Sequence, residues 1–264
     1  MQYLSPIRFF EKLDLQDIDF TDAKKLKKIV NLEFLSYESG IAHIEGFDYN
    51  KQDLLQILSD ENFGQHWNYH LMIWKNKTLL DVLEKETLDK TKINMVLNYI
   101  DNKQFVQFIS VYFAKPFSNI IKNLLHNQEI KELSIWMKCA TYIRIEEEET
   151  AYKSLRLYFE ESKQFCRNVS RANYKDKLKE IKKWQNPNWK DLLNNLPDYL
   201  YHYRDDLARG LTHILVEIQY GEKKICYRIS SWLIRLNIAS SELAETIRKN
   251  HSIFKKKHRE NQTR

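Results

Sequence analysis

The sequence predicts an all-α fold, an irregular multi-helix bundle, on three observations. The 264 residues include only 5 glycines and 4 prolines, where average usage of about 7% and about 5% would give roughly 32 together. Sheets need frequent tight turns, which draw on Gly for positive φ and on Pro for a fixed φ, so a β-rich chain of this length would lack its turn residues. Apolar residues also recur at intervals of three and four over most of the chain, the period of an amphipathic helix. The composition, 43% hydrophobic and 30% charged, supplies a core together with charged helix faces for water.

Each element follows from local chemistry. Asp22 to Leu35 reads as a helix with Thr21 as its cap, and Asn50 with Asp53 three residues on opens another. Between them Gly40 and Gly46 bracket Ile41 to Glu45, which predicts a tiny β element near residues 41–46. Phe105, Phe108, Ile109, Tyr112 and Phe113 form one helical stripe, and Phe117, Ile120, Ile121, Leu124 and Leu125 another. Pro116 stands between them and predicts a kink or a short corner, because proline disfavours α geometry at Lys115. Ile130, Leu133, Met137 and Ala140 make the next stripe, then Ala151, Leu155, Tyr158, Ser162, Phe165 and Val169. Asn186–Pro187 and Pro197–Asp198 read as helix starts, giving helices over about 188–196, 198–219, 223–237 and 240–258.

Leu55, Ile57, Glu61 and Asn62 align at an offset of 40 with Met95, Leu97, Asp101 and Asn102. Over residues 50–126 this suggests helix-pair repeats, and hence a short helical-hairpin array of the HEAT or armadillo kind as the alternative to a bundle.

Charge divides the chain unevenly. Residues 1–162 carry 20 Lys+Arg and 25 Asp+Glu, net −5, and residues 163–264 carry 22 and 11, net +11. The expected organisation is therefore an acidic helical region, 1–162, and a basic helical region with a charged tail, 163–264, forming one continuous structural unit. The reversal runs from Glu146–Glu149, Glu160 and Glu161 into Lys163, Arg167, Arg171, Lys175, Lys179 and Lys183. On a continuous helix a period of four drifts by about 40° per step, so these six would wind around the barrel unless Ser170 or Asn173 starts a new helix. Phe165, Tyr174, Trp184 and Trp189 lie among them, and Lys255, Lys256 and Lys257 extend the positive charge. Cations interleaved with aromatics suit nucleic acid, the cations meeting phosphates and the rings stacking on bases.

The helix over 198–219 carries the densest candidate chemistry. Leu200, Tyr203, Leu207, Leu211, Ile214 and Ile218 share one side, and Asp198, His202, Asp206, Arg209, His213 and Glu217 share the other. His202 with Asp206, and His213 with Glu217, have the i,i+4 spacing of proton-transfer or metal pairs. An ordinary solvent face would look the same, with Asp205 and Arg209 as an i,i+4 ion pair. Tyr199, Tyr201 and Tyr203 point in different directions on this helix. His66 and His70 make an H-x-x-x-H step, but Trp67 replaces the usual Glu, and the stripe His70, Trp67, Leu71, Trp74 favours burial over metal binding.

Three widely spaced cysteines, Cys139, Cys166 and Cys226, fit reduced core thiols. No apolar run approaches the roughly 20 residues of a membrane span, and Met1–Phe10 does not read as a secretory signal. The expectations are a cytoplasmic, non-enzymatic scaffold or adaptor that binds a protein partner, with no cofactor. A nucleic-acid-binding protein is the alternative, and an enzyme using the His202–Glu217 face is the second alternative.

Overall fold

Helix formation dominates the computed structural model, which describes residues 3–13 and 21–262. Met1, Gln2, Thr263 and Arg264, at the ends of the N-terminal segment and the basic tail, lie outside these residues. Among the described residues, 73% of the chain is helical in 15 α-helices, with one two-stranded sheet. The all-α expectation, with its tiny β element, is therefore correct.

The chain forms two units, residues 1–116 with 142–144, and residues 117–141 with 145–264. The first begins with α1 (Pro6–Lys12) and α2 (Ala23–Glu33). Asp22, not Thr21, caps α2, because its carboxylate accepts from the Lys24 and Lys25 amides at 3.0 and 3.1 Å. Strands β1 (Ile41–Ile44) and β2 (Phe47–Asn50) pair antiparallel, with Ile44 opposite Phe47 and Ile41 opposite Asn50. Their link, Glu45–Gly46, has φ of 50° and 84°. Two positive φ values are what a twisted two-residue hairpin turn demands, and glycine meets that demand at the second position. Asn50 ends β2 and also caps α3 (Lys51–Ile57) by accepting from the Gln52 amide.

Helices α4 (Phe63–Lys75), α5 (Lys77–Lys85) and α6 (Ile93–Val96) follow. They lead into α7 (Lys103–His126), which runs through Pro116. The corner expected there is absent, since proline removes only its own amide bond and the apolar stripe continues on both sides. The 40-residue offset thus places helices of 13 and 9 residues after its first copy, and helices of 24 and 7 after its second. The core of the first unit gathers Phe9, Phe10, Leu26, Val30, Ala42, Tyr49, Leu54 and Trp67.

The second unit takes the remainder of α7 and then α8 (Ile130–Trp136), α9 (Glu148–Ala151), α10 (Lys153–Arg167), α11 (Leu178–Lys183) and α12 (Trp189–Asn194). It ends with α13 (His202–Ile218), α14 (Lys223–Leu233) and α15 (Ser241–Gln262). Helix α13 is the central element, packed against α10, α14 and α15. Its apolar side is buried as the period predicts: Tyr203, Leu207, Leu211, Ile214 and Ile218 are in the core, and so is Leu200, although residues 198–200 form a separate 3-10 turn rather than the start of the helix. The approach to α10 is close because Gly210 lacks a side chain; a Cβ there would lie 2.8 Å from Cys166 Cβ. All three cysteines are free and buried, and burial pushes each thiol up to about 12. No described helix is long and apolar enough to cross a membrane.

Candidate functional site

The polar side of α13 is tied down by neighbouring segments of its own unit. Asp206 accepts from Lys163 Nζ at 3.0 Å, and Glu160 accepts from the Tyr203 hydroxyl at 2.6 Å, so both carboxylates bridge α10 and α13. The Tyr203 hydroxyl, with Lys163 beside it, holds the Glu160 carboxyl below its ordinary value. His213 Nε2 lies 3.2 Å from the Val169 carbonyl, and Glu217 accepts from the Arg171 amide at 3.0 Å. His202, Arg209 and Asp198 are exposed. Two carboxylates and a histidine of the candidate catalytic face thus hold α10 and the chain that follows it.

The Asp205–Arg209 pair does not form. Asp205 instead accepts from the Ala239 and Ser240 amides, the last before α15, at 3.1 and 3.2 Å. Amides ahead of a helix have no carbonyl partner within it, so a carboxylate there satisfies more than an exposed ion pair would. Between these residues lies a buried charge that the sequence pattern did not reveal. Arg204 is 1% exposed, its guanidinium 3.9 Å from the Tyr201 ring centre and its Nε 3.6 Å from Asp205.

His66 and His70 of the first unit also serve packing. His66 pairs with Asp60 at 2.8 Å, and His70 meets the Tyr3 hydroxyl at 2.9 Å. Burial, reinforced by His66, lowers His70 to about 3, so its ring stays neutral. Among the described residues no group of three His, Cys, Asp or Glu side chains could hold a metal ion.

The basic series is divided by a helix end. Asn173 accepts from the Ser170 amide and donates to the Asn168 carbonyl, each at 2.9 Å, and this local bonding replaces helix over residues 168–177. Lys163 and Arg167 therefore stay on α10, Arg171 and Lys175 stand on turns, and Lys179 and Lys183 belong to α11. Lys163 is bound to Asp206, and Lys183 pairs with Glu180. Arg167, Lys175, Lys179, Lys255 and Lys256 face water.

Two members of the series converge from distant segments. Arg171, after α10, and Lys257, on α15, both lie against Tyr220, which follows α13. The guanidinium carbon is 5.5 Å and the ammonium nitrogen 4.2 Å from the ring centre, and Lys257 also donates to Gln219 at 2.7 Å. Tyr220 is nevertheless 68% exposed. At Gly221 a Cβ would stand 2.2 Å from the Tyr174 hydroxyl, so a second ring comes to the same turn. Tyr220 was not among the sequence candidates, because its cations come from outside its own helix. Compared with protein-family models, curated proteins and solved structures, the chain matches none of them.

Proposed function

We propose that the protein binds single-stranded nucleic acid through the Tyr220 junction of its second unit. The observation that carries this reading is the exposed Tyr220 ring with Arg171 and Lys257 both against it. A base that takes the place of the Lys257 ammonium over this exposed ring finds a π-face there, and the two cations offer charge to the adjoining phosphates. The unit carries 27 Lys+Arg against 19 Asp+Glu, which supports attraction of a polyanion.

The test is fluorescence anisotropy with a labelled single-stranded oligonucleotide over a salt series. Tyr220→Ala is expected to cost about 1–3 kcal/mol of binding. Arg171→Gln and Lys257→Gln are each expected to weaken binding uniformly across sequences and to lower the salt slope by roughly 1. Absence of binding at low salt, or affinity unchanged in Tyr220→Ala, rejects the reading.

A second reading, a protein-binding adaptor, draws on the first unit. Leu32 and Leu35, at the end of α2 and just beyond it, are 67% and 79% exposed, and apolar side chains held in water favour a partner that covers them. On this reading Leu32→Ser with Leu35→Ser abolishes partner capture and leaves oligonucleotide binding unchanged. Either activity would suit the cytoplasm, where free thiols such as Cys139, Cys166 and Cys226 remain reduced.

A further inference from the structure

Helices α10 and α11 face one another across a cleft of about 130 Å³ lined by Tyr158, Glu161, Phe165, Glu180, Lys183 and Trp184, with Ser162 between them. A single water needs only about 10–15 Å³ measured this way, so the space suits a small organic group. The lining follows from helical spacing. Residues 158, 161, 162 and 165 fall on one side of α10, and residues 180, 183 and 184 on one side of α11 and its C-terminal cap.

The aromatic wall is rigidly backed. Trp184 stacks on Trp189 at 4.4 Å, Tyr158 stacks on Trp189 at 5.9 Å, and the Trp184 carbonyl accepts from Trp232 Nε1 at 2.9 Å. The charges are unequal. Glu180 is matched by Lys183, whereas Glu161 is exposed and has no hydrogen-bond or ion-pair partner among the described residues. Lys177 lies 5.9 Å from the Phe165 ring centre but donates to the Asn168 carbonyl and not to Glu161, so three rings and one carboxylate without an ion-pair partner select a cation, since aromatic faces carry negative potential. A primary ammonium holds its water tightly and gains least from such a wall, while a methylated one is poorly hydrated and gains most from the rings.

We propose that this cleft binds a small quaternary ammonium group, held by the Tyr158, Phe165 and Trp184 rings with Glu161 as its counter-ion. The site is independent of the Tyr220 junction and uses different residues.

The experiment is isothermal titration calorimetry of the whole protein with choline, with a trimethyllysine peptide, and with 3,3-dimethylbutanol, the neutral carbon analogue of choline. Choline, the peptide or both should saturate, and the neutral analogue should bind more weakly. Binding by choline identifies a small-molecule source, and binding by the peptide alone identifies a modified protein chain. Phe165→Leu keeps an apolar side chain and removes the π-face, and Glu161→Gln removes the counter-ion at an exposed position that folding tolerates. Each should weaken binding roughly two- to thirtyfold. The proposal is overturned if neither cation saturates, if the neutral analogue binds as well as choline, or if Glu161→Gln leaves the affinity unchanged.

Discussion

The two units compensate their buried charge differently. In the first, ionic groups are drawn into the core: the Glu84 side chain is fully buried, accepting from the Ser5 amide at 2.9 Å and from Arg8, whose guanidinium also reaches Glu45 and lies over the Phe47 and Trp74 rings. The Tyr49 hydroxyl closes the arrangement by donating to the Ser5 carbonyl at 3.0 Å. In the second, Arg204 is buried over the Tyr201 ring with no carboxylate nearer than 3.6 Å, most other cations stand at the surface, and the carboxylates of α13 bind Lys163 and backbone amides at chain reversals. Burying an ion pair makes local geometry costly to disturb, whereas surface cations stay available to another molecule. Both proposed ligand sites, the Tyr220 junction and the cleft between α10 and α11, lie in the second unit.

Breaking the buried pair is the most severe way to test the contrast. Glu84→Ala leaves Arg8 with one weak exposed partner and is expected to cost about 3–5 kcal/mol in urea unfolding. Replacing both residues together, Arg8→Met with Glu84→Leu, should recover only part of that loss, because no charge is left unpaired but the buried Ser5 amide still loses its acceptor.

Acid comes next. His70 is held neutral in the fold down to about 3, while in the unfolded chain it takes a proton near 6.5. Between these values the unfolded state binds more protons, so stability falls as pH falls through that window. The slope from this group approaches about 1.4 kcal/mol per pH unit. His70→Gln, which keeps an acceptor for the Tyr3 hydroxyl, should flatten the dependence of the urea midpoint between pH 6 and about 4. An unchanged slope would show that His70 is not the group responsible.

Smaller effects are expected where the second unit is perturbed. Gly210→Ala places a methyl against Cys166 and should cost about 1–2 kcal/mol in thermal unfolding despite the better helix propensity of alanine. Asp206→Asn removes a half-exposed partner of Lys163 and should cost no more than about 0.5–1 kcal/mol. If Asp206→Asn proved as damaging as Glu84→Ala, the division between buried and surface charge would fail.

The sequence made the helical faces legible and left the ends of helices obscure. The buried side of α13 follows directly from its 3.6-residue period, whereas on α10 the buried residues are Leu155, Phe159, Ser162 and Cys166, so Phe159 and Cys166 stand where Tyr158 and Phe165 were expected. What periodicity does not carry is which part of a stripe finds a partner. Leu155 and Ser162 are buried, whereas Tyr158 and Phe165 are half-buried and line a cleft. The break after Arg167 depends on Asn173 bonding backward to Asn168, a local competition with the helix that composition alone does not decide. Asp205 shows the same limit: its spacing to Arg209 suggested an ion pair, and its partners are amides 34 and 35 residues away. The Tyr220 junction joins segments 49 and 37 residues apart from it, so no local motif could contain it.

The stacked Trp184 and Trp189 rings have a consequence for measurement. Their centres are 4.4 Å apart and their planes 30° from parallel, close enough for the indole transitions to couple and to leave a signed pair of bands in circular dichroism. Both residues belong to the second unit. That optical signature therefore reports whether α11 and α12 are in place, separately from the helical signal of the whole chain.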